Sequence, residues 1–201
     1  MNTPSVLFIP LFLALFQGSI SIPINIKNRK DLTKVQLTVI GAFGLVRKER
    51  KTVPSHLHTG IDIKRPEMNY NDEPVFPLAA GKVISKRTDG AYAQLIIEHE
   101  LNNKKFWTVY EHVAGIKVNV NDLVDPGKAI ARFMNKAELN KYGWQFDHFH
   151  LEILKVKPLK LTPGKLHPDR FYNSYTLICF RKEDLEKYYY DPMDFMSKNL
   201  K

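Results

Sequence analysis

Punctuation constrains this chain more than anything else in it. Short apolar runs, most of four to eight residues, follow one another at Val35–Val46, Pro74–Ser85, Ala93–His99, Phe106–Val113, Lys128–Phe133 and Phe146–Leu154. They are rich in Val, Ile, Phe and Tyr and are bounded by Gly, Pro, Asn or Asp. β-Branched and aromatic side chains fit a pleated, half-buried surface, so the pattern predicts a mainly β, antiparallel domain. Turns are legible at Asp89-Gly90, Leu101-Asn-Asn103 and Asp125-Pro-Gly127. Only Asn135–Tyr142 and Arg181–Tyr190 read as helices, the second with Glu183 and Lys187 spaced as a helical ion pair. Tyr175–Phe180 reads as one more strand, with Cys179 as a core residue. No internal repeat or linker divides the 201 residues, which suit one domain with a real core.

Charge and the first residues bound the setting. The formal net charge of +9 favours an anionic partner: nucleic acid, a membrane surface or an acidic polymer. Val6–Phe16 is an apolar run of 11 residues followed by Ser19-Ile-Ser21, the pattern of a secretory signal peptide cut after Ser21. It is well short of the roughly 20 apolar residues that span a bilayer. Residues 1–21 are therefore expected to be a leader and 22–40 an N-terminal arm, with no stable membrane span after cleavage. Export argues against nucleic acid and for anionic polymers of the cell envelope, in a secreted or periplasmic location. A single cysteine excludes an internal disulfide and a cysteine-rich zinc site.

The candidate chemistry lies in the histidines. In Phe146–Leu154, His148 and His150 are two apart, so on a strand they project from one face while Phe149 and Leu151 point into a core. In Ser55–Ile63, His58 and Asp62 are four apart. On a straight strand they would lie roughly 13 Å from each other, too far to share an ion. The segment must bend, and Gly60 is the residue that permits it. His112 ends a third run. His58, Asp62, His112, His148 and His150 thus come from three segments of one small β domain. A zinc ion with three protein ligands from such a set keeps a fourth position open, as catalytic sites do, and the two remaining histidines can move protons or steady an oxyanion.

His58-Thr-Gly-Ile-Asp62, Tyr110-Glu-His112 and His148-Phe-His150 resemble, in order and spacing, the motifs of the M23 metallopeptidases, the zinc endopeptidases related to lysostaphin and LytM. Gly41-Ala-Phe-Gly44, Pro74–Val83, Leu95–His99, Val124–Ile130 and Tyr190-Asp-Pro-Met193 add to the resemblance, which covers about Gly41 to Ile153 and the last dozen residues. It implies an antiparallel β-sheet groove of the LytM type (the duplicated hybrid motif), with few short helices. It also implies Zn²⁺ held by His58, Asp62 and His150, with His112 and His148 as the catalytic pair. The implied substrate is a peptide of peptidoglycan, a stem cross-link or an interpeptide bridge. The alternative is a non-catalytic wall-binding or hydrolase-regulating module of the same fold. The resemblance makes 41–201 the peptidase-like domain, with an insertion at about 156–190 able to cover or extend the groove. A second departure is Phe133–Asp147, where the family has a Gly/Ser/Thr-rich loop. His99 reads as structural, His56 as a rim group and His167 as a turn residue. A cation beside His112 and His148 would disfavour their charged forms.

Overall fold

The computed structural model of the protein describes residues 19–51, 53–88 and 90–200; the apolar run Val6–Phe16 lies outside them. The main sheet contains β1 (Ile61–Lys64), β2 (Gly81–Arg87), β3 (Gln94–Leu101), β4 (Lys104–Glu111), β5 (Leu123–Val124), β6 (His148–Leu154) and β7 (Tyr189–Tyr190). Its order is β7-β6-β4-β3-β2-β5, all antiparallel, with β1 also paired to β6. Three two-stranded ribbons add to it: Val46–Arg47 with His56–Leu57, Pro74–Val75 with Ala131–Arg132, and Leu159–Lys160 with Tyr172–Asn173. The expected mainly β, antiparallel architecture is therefore present.

β6 is the axis of the molecule. One side runs along β4, with His150 opposite Glu111 and Leu154 opposite Trp107. The other side is shared: β1 pairs its first half and β7 its last two residues. All seven residues of β6 are buried. The strand's period of two sends Phe149, Leu151 and Ile153 into the main core with Ile61, Tyr110 and Phe133. His148, His150, Glu152 and Leu154 take the opposite face.

The expected insertion lies on that opposite face, at its Leu154 end. Cys179, Leu185 and Tyr189 pack there with Ile96, Trp107, Val109 and Leu154 in a second apolar cluster. It holds α2 (Lys182–Tyr188), as anticipated from Arg181–Tyr190. The strand expected over Tyr175–Phe180 is absent: Thr176–Ile178 form a 3₁₀ turn, Cys179 is buried, and Leu177, Ile178 and Phe180 stay about half exposed. A run without clean alternation is not held to one face, and here Cys179 is the residue that becomes fully buried, with Tyr175 packed against the same cluster.

Two further helices frame the sheet. α1 (Lys136–Tyr142) begins on a capping box, in which Asn135 accepts from the Glu138 backbone and Glu138 from that of Asn135. The sequence reading missed α3 (Pro192–Asn199). Asp191 caps it by accepting from the Met193 and Asp194 N–H groups, Pro192 opens its first turn, and Phe195 and Met196 enter the main core.

The segment before Gly41 is built into the core. Ile20, Ile22 and Ile24 are at most 1% exposed, the Ser21 N–H donates to the Leu78 carbonyl at 2.8 Å, and Leu37 bridges to Ile63. Ile20 and Ser21 stand on the leader side of the cut expected after Ser21.

Candidate metal centre

β1 and β6 meet antiparallel with Asp62 opposite His150, which sets the carboxylate beside the imidazole without any long-range adjustment. His58 arrives from the end of the His56–Leu57 ribbon, its N–H held by the Leu45 carbonyl at 2.8 Å. The chain then bends through Thr59 and Gly60, as the HxGxD spacing requires. Gly60 serves close approach: a Cβ there would lie 2.2 Å from the Leu151 carbonyl oxygen and 2.8 Å from His150 Cε1.

The three chains converge on one triangle. His58 Nε2 lies 2.9 Å from His150 Nδ1 and 3.1 Å from Asp62 Oδ1, and His150 Nδ1 lies 3.0 Å from the same oxygen. Each imidazole spends its other nitrogen on an acceptor behind it. His58 Nδ1–H donates to the Ala42 carbonyl at 2.9 Å, and His150 Nε2–H donates to Glu152 Oε1 at 3.2 Å. Neutral rings fixed this way aim lone pairs at one another and at a carboxylate. Three converging acceptors call for a cation. A tetrahedral zinc ion, with bonds of about 2.0–2.1 Å, would space its donors about 3.3 Å apart, so the donor set and spacing fit zinc.

The backing is as specific as the triangle. Glu152 is buried, and its Oε1 also accepts from Thr59 Oγ1 and Thr176 Oγ1, each at 2.5 Å. Burial alone would raise the Glu152 pKa, but its bonds from His150 and the two threonines hold it below the usual value. Arg47 Nη2 donates to Asp62 Oδ2 at 2.5 Å, leaving Oδ1 to the triangle. Burial likewise works against ionised Asp62, yet the hydrogen bonds from His150 and His58 drive its pKa far down. Burial disfavours His150's imidazolium, but hydrogen bonds to Asp62 and Glu152 outweigh it and push the pKa up to about 10.

His112 and His148 lie beside the triangle. Their ring centroids are 5.2 Å apart, His112 is 6.4 Å from His150, and His148 Nε2 is 3.6 Å from Asp62 Oδ1. His112 adopts φ +62°, the left-handed region that side-chain-bearing residues rarely occupy. There its Nδ1–H donates to the Ala91 carbonyl at 2.5 Å, so Nε2 keeps the lone pair. Both residues are held near pKa 4, and burial is the largest cause in each. The neutrality expected from a neighbouring cation is thus already imposed by desolvation.

All five sequence-derived residues are therefore brought together, and the other histidines are not. His99 is buried between the Ala80 carbonyl and Thr108, His56 turns to the Pro54 carbonyl, and His167 sits in a turn with Gly164. Glu152, Thr59, Thr176 and Arg47 escaped the sequence reading. Glu152 had a signal, because it continues the parity of His148 and His150; Thr176 and Arg47 had none within their own segments.

The fold and the donor triangle define a mainly antiparallel β protein with a His/Asp set that could hold a metal ion. The sequence model of peptidase family M23 matches residues 56–162, and the chain belongs to that family. No curated protein sequence matches it. Among solved structures, "the antimicrobial peptidase lysostaphin from Staphylococcus simulans" is 17% identical with a TM-score of 0.53, over 90% of this chain and 55% of that one. That likeness is one of fold. A "zinc containing peptidase from vibrio cholerae" is 27% identical with a TM-score of 0.47, over 67% of this chain and 36% of that one. The chain thus spans between about a third and just over half of these two structures.

Proposed function

We propose that the protein is a secreted zinc endopeptidase that cleaves peptide bonds in peptidoglycan. In this reading His58, Asp62 and His150 hold the ion, and His112 and His148 handle protons. The observation that carries it is the triangle of converging acceptors at 2.9–3.1 Å, each histidine fixed from behind by a carbonyl or a carboxylate. Zinc, when bound, supplies Lewis-acid polarisation of the scissile carbonyl and activation of water near neutral pH.

The chain's own residues do the rest. Glu152 and the Ala42 carbonyl fix the tautomers of the two ligand histidines, and Arg47 turns Asp62 so that one oxygen faces the ion. His112, locked by the Ala91 carbonyl, offers a bare Nε2 that accepts a proton as the nucleophile attacks. His148 lies close enough to donate a hydrogen bond to the charge that develops on the carbonyl oxygen. Both are neutral at pH 7 in the pocket and so are competent for these roles.

Substrate and location rest on the family resemblance, the leader-like Val6–Phe16 and the +9 charge, which suits docking on anionic envelope polymers. Among the described residues no helix is long and apolar enough to cross a membrane. The test is mass spectrometry of fragments released from purified walls of several chemotypes, with and without a chelator. Chelator-sensitive new amino termini are expected. Protein that carries stoichiometric zinc yet releases nothing from any wall would replace this reading with the non-catalytic module.

A further inference from the structure

A cavity of about 320 Å³ opens between the β3–β4 hairpin and α3. Its volume falls in the range of small-ligand sites. It is remote from the donor triangle. Phe106 lines it, and β4 runs on from there for roughly 17 Å before Glu111 stands opposite His150. Phe106 belongs to the main core, whereas His150 takes the other face of the sheet, so a ligand in this cavity leaves the triangle free.

The cavity has an aromatic floor and a basic rim. Phe195 lies 5.1 Å from Phe106 and 5.1 Å from Tyr190, centroid to centroid. The two phenylalanines are buried and Tyr190 is half-buried. On the hairpin side Asn102 and Asn103 adopt φ +51° and +61°, the left-handed pair of a tight two-residue turn, which holds the rim firmly. Lys104 follows, exposed and with no carboxylate partner among the described residues. Across the cavity Lys198 donates to Asp194 Oδ2 at 2.7 Å, an exposed pair that holds only weakly. Lys105 donates to Glu98 Oε1 at 2.8 Å. Three cations thus line the cavity against one anion, Asp194. Lys155 extends the basic side, its Nζ 5.0 Å from the Tyr190 ring centroid. Asn199 donates its Nδ2 hydrogen to the Phe195 carbonyl at 2.8 Å, which leaves its Oδ1 as an acceptor.

We propose that this cavity is a binding site for a hexose phosphate. Lysines are point charges without the planar fork of arginine, which suits a tetrahedral phosphate better than a flat carboxylate. Lys104 and Lys198 take the phosphate, and the Asn102 and Asn199 amides meet hydroxyl groups. Tyr190 gives the C–H side of the sugar ring an apolar face. Inorganic phosphate would leave that face unused, and a neutral sugar would leave the lysines unused. The site goes beyond the peptidase reading and does not depend on it.

Titration calorimetry on the full chain tests this. Glucose 1-phosphate should bind at least about tenfold tighter than glucose or inorganic phosphate, and more weakly as salt rises. Lys104→Glu and Lys198→Glu should each weaken it at least about fivefold, and Asp194→Asn, which frees Lys198, should tighten it about two- to fivefold. Both lysines are exposed, so their variants should melt with the wild type. Retention on walls that carry a sugar-phosphate polymer, lost when the phosphate is stripped, would mark a polymer unit as the source of the ligand; binding of the monomer alone would mark the free sugar phosphate. Equal Kd values for glucose 1-phosphate and inorganic phosphate would overturn the site and leave an adventitious basic patch. So would the absence of binding, lysine variants that bind like the wild type, or polygalacturonate or single-stranded DNA bound with the same Kd. Protein that binds glucose 1-phosphate yet cleaves no peptide would sink the peptidase reading and leave this site standing.

Discussion

Two corners of one small pocket hold histidines two residues apart and treat them in opposite ways. His150 lies among Asp62, Glu152, Thr59 and Thr176, and its pKa is pushed up to about 10. His112 lies against Phe146 and Tyr92, and His148 has Asp62 at 3.6 Å, but burial outweighs every attraction and both pKa values fall to about 4. All three are imidazoles and all three are desolvated. What differs is the pair of carboxylates that hydrogen-bond His150, Asp62 on one nitrogen and Glu152 on the other. The lesson is that a buried ring caught between two carboxylates holds a proton strongly, whereas burial without that pair keeps a ring neutral.

Variants can break that contrast in order of severity. Asp62→Ala or His150→Ala removes a vertex of the triangle, and stoichiometric zinc, measured by elemental analysis, should vanish together with chelator-sensitive turnover. His112→Ala lies in the other corner, so zinc should stay stoichiometric while kcat falls about 10²–10⁴-fold. Glu152→Gln keeps the shape and removes the charge behind His150; zinc affinity, measured by competition with a chelating dye, should drop about 10–100-fold.

The proton balance sharpens the same contrast. His150's folded pKa lies above its unfolded value, so in the zinc-free protein its proton stabilises the fold fully below about pH 6.5, a contribution lost as pH rises through about 10. Zinc must displace that proton. Calorimetry at pH 8 in buffers of different ionisation enthalpy should therefore report release of about one proton per zinc, and Glu152→Gln, which removes one of the charges that hold the proton, should lower that count. His112 and His148 have lowered pKa values, which reverses the sign. Between about pH 6.5 and 4 the unfolded chain binds the extra protons, so stability should decline as pH falls through that window. Denaturation midpoints at pH 7 and pH 5 check this, the smallest of the effects.

Much of the triangle was legible because strand parity and chain reach are local rules. The alternation in Phe146–Leu154 placed both histidines on one face, and the distance between His58 and Asp62 forced the bend at Gly60. Carried two residues further, the same parity reaches Glu152. Thr176 was out of reach, since it comes to Glu152 from a largely apolar segment that suggested a strand where a 3₁₀ turn forms. Arg47 lies in a basic run that looks like an ordinary solvated face, and only the ribbon with His56–Leu57 aims it at Asp62. The helix Pro192–Asn199 had its signals in Asp191 and Pro192, but a motif reading of Tyr190–Met193 obscured them. Ile20, Ile22 and Ile24 alternate as a core strand does, yet they adjoin the leader-like segment, and nothing local separates the two.

Thr176 lies within the stretch that looks inserted, and its hydroxyl reaches the carboxylate behind His150. Trimming 156–190 to isolate the triangle would therefore remove part of what holds it. The segment behaves as a keystone, set late in the chain and bearing on stones laid earlier.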